Sequence, residues 1–125
     1  MLVSEQEILE LRDFIVELNT VSNSAVVVEG KRDSKALRKL GYNGKILEFH
    51  RFGRIINFAD SAANYHRLII LFDRDRKGRI LTRKTIQLLQ RRTNVDLSFR
   101  RKIHAVTKGK IMFIEQLIIY ESLIA

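Results

Sequence analysis

The chain has 125 residues, 46% of them hydrophobic and 30% charged, which suits one domain with a core of its own. It has no Cys, so a disulfide framework and a thiolate metal site are excluded, and no apolar run approaches the ~18 residues of a membrane span. The net charge is +9 and uneven: residues 1–20 set Glu5, Glu7, Glu10, Asp13 and Glu17 against Arg12, a balance of −4, while the rest sets 22 Lys and Arg against 9 Asp and Glu, a balance of +13. That asymmetry points to a polyanionic partner, with nucleic acid ahead of a merely solvated surface. The start, MLVSEQEILELRDF, is acidic, amphipathic and unlike a signal peptide, so a cytoplasmic setting is expected.

Residues 4–19 read as a helix. Ser4 caps it, Glu7 completes a capping box, and Ile8, Leu11, Phe14, Ile15 and Leu18 form one apolar stripe. Ala25–Glu29 is a β-branched run expected to be a buried strand. A short helix over Asp33–Leu40 follows, ended by Gly41, with a turn at Tyr42-Asn43-Gly44. Lys45–Phe49 is a second, shorter strand, and residues 55–65 form a small helix. Arg67–Phe72 is the strongest strand in the chain, and Arg79–Arg91 reads as a helix. Leu97–Val106 alternates enough to place a fourth strand around Ile103–Val106. Ile111–Leu123 is apolar and expected to be helical, packed on its own core or on a second copy. The order implies an α/β fold: a mostly parallel four-stranded sheet flanked by helices in three Rossmann-like layers. Three segments are expected: an amphipathic helix over 1–21, the α/β domain over 22–108, and a closing helix over 109–125.

The chemistry concentrates at two strand ends, because ligands in open α/β sheets bind beyond the carboxyl ends of the strands. Glu29 ends the first run, and a charge buried there is costly unless it reaches a cleft or a partner. Gly30 lets the backbone turn sharply beside it. Asp73 and Asp75 follow LIILF, and in an extended segment residues i and i+2 point to one side, so both carboxylates can face one ion. Acids held that close repel unless a cation neutralises them, and hard divalent cations favour such oxygen clusters. Gly78 allows a tight turn into the next helix. The plainer reading pairs Glu29 with a neighbouring Lys and makes Asp33 and the DxD acids helix caps. His50, His66 and His104 show no ligand spacing and are assigned to no site.

VVVEGKRD, followed some forty residues later by LIILFDRDRKG, resembles a Toprim domain, the fold shared by topoisomerases, bacterial primases, ribosomal-RNA maturation ribonucleases, OLD-type nucleases and RecR-type recombination proteins. The likeness covers roughly residues 22–108. Its EGKxD form is most similar to the small stand-alone Toprim proteins of archaea and some bacteria, and NVDLSFRRKIHAV resembles their strand after the DxD helix. The resemblance implies that Glu29 is a general acid/base or a metal ligand, and that Asp73 and Asp75 bind Mg²⁺, with Mn²⁺ as a substitute. It also implies action on nucleic-acid phosphodiesters, as a nuclease or nicking activity.

Lys31, Arg32, Arg74, Arg76, Lys77 and Arg79 flank the acids and are expected to hold phosphates. Arg100, Arg101 and Lys102 form a second basic cluster beside the final strand, in which Arg100 and Arg101 are expected to bind phosphate; the alternative is solvent-facing edge charge. A topoisomerase needs a Tyr nucleophile on a supporting domain, and a primase needs more chain. The rival to a nuclease is a non-catalytic RNA- or DNA-binding module, working as a homodimer or within a larger processing complex.

Overall fold

The computed structural model describes residues 3–124. Helix α1 (Glu5–Thr20) is followed by strand β1 (Ser24–Val28), helix α2 (Lys31–Lys39), strand β2 (Lys45–Glu48) and helix α3 (Ile55–Ala62). Then come strand β3 (Arg67–Ile70), helix α4 (Arg76–Leu89), strand β4 (Asn94–Asp96), helix α5 (Ser98–Val106) and a one-turn helix α6 (Glu121–Ile124). Two 3₁₀ segments, Phe49–Phe52 and Ile114–Tyr120, complete the elements.

The four strands form one sheet in the order β2-β1-β3-β4, and all three pairings are parallel. The order reverses between β1 and β3, so a crevice opens there at the carboxyl ends. Strand periodicity explains the two-sided core. Val26, Val28, Ile69 and Leu71 face a layer built from α1, α2, α5 and the C-terminal segment, while Ala25, Val27, Leu68, Ile70 and Phe72 face α3 and α4. Both faces are covered, which is why these runs are continuously apolar rather than alternating.

Several local signals act as the sequence predicts. Ser4 Oγ accepts from the Glu7 amide, capping α1 at 3.1 Å. After α2, Gly41 at φ +103° lets its own amide reach Arg38 O and the Tyr42 amide reach Leu37 O, a Schellman ending in which glycine avoids the left-handed penalty. The Ile111–Leu123 tail packs on this chain's own core through Ile111, Ile114, Leu117 and Tyr120.

Three expectations are corrected. The fourth strand lies at Asn94–Asp96, and residues around Ile103–Val106 belong to α5 instead. Phe99 and Ile103 are buried in the core and Val106 packs against it at helical spacing, so the apparent alternation there is one face of a helix. Asp96 starts that helix, accepting at Oδ1 from the Ser98 amide (2.7 Å) and hydroxyl (2.6 Å). The tail is a 3₁₀ segment followed by one α-turn rather than one long helix, with Gln116 Oε1 accepting from the Met112 and Phe113 amides. The Ser4–Glu7 capping box is only half formed, because the Glu7 carboxylate turns inward to Lys110 Nζ (2.7 Å) and Tyr120 Oη (3.1 Å).

Candidate metal and nucleic-acid site

Glu29 follows β1 directly and Asp73 lies three residues past β3, so the switch point brings their side chains together. Glu29 is buried, and its Oε2 accepts from the Asp73 amide at 2.9 Å. Its own carbonyl accepts from the His50 amide at 2.9 Å, which ties the end of β1 to the chain beyond β2. Asp73 Oδ1 accepts from the Ile114 amide at 2.9 Å. Burial pushes the Asp73 carboxyl up to about 7, helped by a hydrogen bond to the Glu29 carboxyl and by the charges of Glu29 and Asp75, while the Ile114 amide opposes the shift. Two carboxylates in such contact repel, and a proton on one of them or a cation between them relieves that repulsion.

Asp75 sits differently from the extended i, i+2 expectation. It is the N-cap of α4, its Oδ1 accepting from the Gly78 amide at 2.8 Å, so the helix begins at Arg76 rather than Arg79. Among the described residues no three His, Cys, Asp or Glu side chains converge into one ready-made cluster. The acids therefore form a contacting pair, Glu29 and Asp73, with Asp75 as a charged neighbour on the helix cap. Their donor set fits a hard oxygen-seeking cation, since each acid commits one oxygen to an amide and has a second oxygen as well.

The two glycines have different roles from those the sequence suggests. Gly30 is extended, at φ −150°, and a methyl there would meet nothing within 4 Å. It keeps the space beside Glu29 open and makes no special turn. Gly78 lies inside the first turn of α4, where a Cβ would fall 1.9 Å from the Asp73 carbonyl oxygen. Glycine is needed there for the close approach of the DxD backbone to the helix.

Sequence reasoning read Asp33 only as a helix cap, and it proves to be a fourth acid at this place. It is buried and accepts from the Gly30 amide at 3.0 Å. Burial raises its carboxyl, and the charges of Asp73 and Glu115 add to that. Its signal was available: an acid three residues beyond the strand-end glycine, facing back along the first turn of α2. The contribution of residues 112–115 had no such signal. Met112 O accepts the Arg74 amide at 2.8 Å, so the C-terminal segment braces the DxD loop from across the fold.

The basic residues divide into two groups. Arg100 stands on α5, not on a strand edge, and its Nε and Nη2 donate to the carbonyls of Phe72 and Asp73, both at 3.3 Å. Its pKa is lowered by burial first and then by the nearby charges of Arg74 and Arg79, which places these three arginines around the DxD loop. Lys31 opens α2 and helps line a hollow of about 300 Å³ with Gly30, Glu48, His50 and Arg51. Arg32 is exposed and pairs with Glu115 at 3.9 Å. Arg76, Lys77 and Arg79 project into solvent from the first turn of α4. Arg101 is also exposed on α5.

The EG and DxD motifs thus meet at the β1/β3 switch point, buried Glu29 against half-buried Asp73, with Arg74, Arg79 and Arg100 close by. The Toprim domain family model matches residues 24–106. The chain belongs to the Toprim family. It is 40% identical over 114 residues to a UPF0292 protein of Thermococcus sibiricus, covering 90% of this chain and 83% of that one. It is 34% identical over 110 residues to a UPF0292 protein of Pyrococcus furiosus, covering 87% and 83% of the two chains. A solved structure of a protein from Aquifex aeolicus superposes with a TM-score of 0.64 at 28% identity, covering 83% of this chain and 94% of that one. Toprim domains act on nucleic acids and generally bind divalent cations such as Mg²⁺. Among the described residues no helix is long and apolar enough to cross a membrane.

Proposed function

We infer that this Toprim protein cleaves or nicks nucleic-acid phosphodiesters with the help of Mg²⁺, or of Mn²⁺ in its place. The observation that carries the reading is the Glu29–Asp73 contact, with Asp73 raised to about 7 in a basic surround. A general acid or base works best when its pKa lies near the working pH. Asp73 carries a proton near neutrality, and Glu29, in contact with it, is the general acid or base toward a phosphate oxygen in this reading. Asp73 and Asp75, with Glu29, are the groups to hold the cation, which would supply charge neutralisation at the phosphate. Lys31, Arg32, Arg74, Arg76, Lys77, Arg79, Arg100 and Arg101 set the backbone of RNA or DNA over the acids. Arg100 has a further task, since its grip on two carbonyls fixes the loop that carries Asp73.

The test is cleavage of a panel of labelled, structured RNAs and DNAs with Mg²⁺, with Mn²⁺ and with EDTA. Cleavage is expected only with metal, and is expected to vanish in Asp73→Asn and in Glu29→Gln while both variants still fold and unfold cooperatively. Undiminished cleavage in either variant would sink the assignment. A second reading, a binding module without turnover, draws support from the absence of a three-acid cluster among the described residues. It predicts salt-sensitive binding and no cleavage under any divalent ion.

A further inference from the structure

A hollow of about 560 Å³ runs along the N-terminal half of α4, lined by Asp75, Arg76, Lys77, Ile80, Leu81 and Lys84. It begins at the DxD motif, because Asp75 is both its first lining residue and the cap of the helix. Its floor is aliphatic. Ile80 is 40% exposed and Leu81 lies beneath it at 9%, so uncovered apolar surface sits in the middle of a helix face otherwise built from cations. Lys77, Ile80, Leu81 and Lys84 follow at helical spacing and share one side of α4. Lys77 and Lys84 stand about 10 Å apart along the axis, and their long flexible stems let the two ammonium groups close on a ligand from either end.

An apolar floor between cations asks for a ligand that is flat and apolar in the middle and anionic at both ends. An unpaired nucleotide has that character, since every base has an apolar face and sits between two phosphates. A duplex keeps its base faces stacked inside and would set Ile80 against charged backbone. We propose that this hollow on α4 seats an unpaired nucleotide next to the carboxylate site, with its base on Ile80 and Leu81 and its phosphates on Arg76, Lys77 and Lys84. The substrate class is thereby single-stranded or locally unpaired nucleic acid. The inference rests on the nucleic-acid reading of the same site.

Fluorescence anisotropy of the full chain in EDTA tests it, with a labelled 12-nucleotide single strand and a blunt hairpin duplex as probes. The single strand is expected to bind more tightly. Ile80→Ala, a change that favours helix, should weaken single-strand binding about five-fold and leave its salt slope unchanged. Lys84→Gln should make that slope shallower by about 0.7. Tighter binding of the hairpin, or an Ile80→Ala variant that binds the single strand as wild type or loses equally on both probes, would overturn the proposal while leaving the nucleic-acid reading standing. Failure of the wild-type chain to bind either probe would overturn both.

Discussion

Asp73 carries the sharpest consequence at the scale of one residue. Its folded carboxyl titrates at about 7, against an ordinary value of 3.8. A carboxyl raised in this way contributes stability that is fully present below 3.8 and lost as the pH rises through 7. The metal-free protein should therefore lose melting temperature between about pH 4 and 7.5, while Asp73→Asn should be flatter across that window. Asp33, shifted the same way, leaves a smaller slope behind in that variant. Divalent cation and proton compete for these oxygens, so Mg²⁺ should bind more tightly as the pH rises, as calorimetric titration at several pH values would read. The glycines make a second residue-scale pair. In a helix interior Gly→Ala normally gains about 1 kcal/mol. At Gly78 the overlap with the Asp73 carbonyl outweighs that gain, and Gly78→Ala should cost roughly 3 kcal/mol in denaturant unfolding. Gly30→Ala, with open space around it, should stay within about 0.5 kcal/mol of wild type.

At the scale of elements, α1 is fastened to the C-terminal segment by a buried charge. Glu7 is 2% exposed and is held by Lys110 and Tyr120. The Lys110 ammonium keeps its carboxyl below the ordinary value of 4.5 in spite of burial, and burial beside Glu7 pushes the Tyr120 phenol up to about 12. Breaking a buried pair by removing one member leaves the other uncompensated. Glu7→Ala should thus cost roughly 3 kcal/mol, far above the loss of an ordinary helix-surface acid. Because the carboxyl is depressed, its contribution is present above 4.5 and lost as the pH falls through the folded value. Loosening of α1 should accordingly be an acid event, visible as early amide exchange in that helix. The pairing of α1 with α5, through the edge-on contact of Phe14 and Phe99 at 5.8 Å, belongs to the same layer.

For the molecule as a whole, the family match ends at residue 106 but the core does not. Ile111, Ile114, Leu117 and Tyr120 are all buried. Fully burying such side chains is worth about 1.5–3 kcal/mol each, and together they reach the net stability of a small domain, about 5–15 kcal/mol. A chain cut after residue 109 should fail to unfold cooperatively and should bind a hydrophobic dye. It would also lose the amide that holds Asp73, so residues beyond the matched region serve both the core and the site.

Much of this was legible in local sequence. The β-branched runs that mark β1 and β3, the acids at their carboxyl ends, Ser4 as a cap and Gly41 as a terminator follow from short-range rules of periodicity, sterics and capping. Those rules act within a few residues, so one chain suffices to read them. A three-residue edge strand carries too little pattern to be found, and a helix with apolar residues at alternate positions (Leu97, Phe99, Ile103 and Ala105) mimics that strand, which displaces Arg100 and Arg101.

The amino-acid order by itself determined which acids and which bases lie near the crevice, because strand ends and their flanking charges are local features. Only the tertiary structure decided which atoms meet. Glu29 accepts from an amide 44 residues away, and Asp73 from one 41 residues away. Asp33 counts as an acid of the site only through its closeness to Asp73, and Arg100 braces the loop only because α5 crosses beneath it. Hydrogen bonds are short and directional, so partners that distant in sequence are chosen by the packing of whole layers and not by any local pattern.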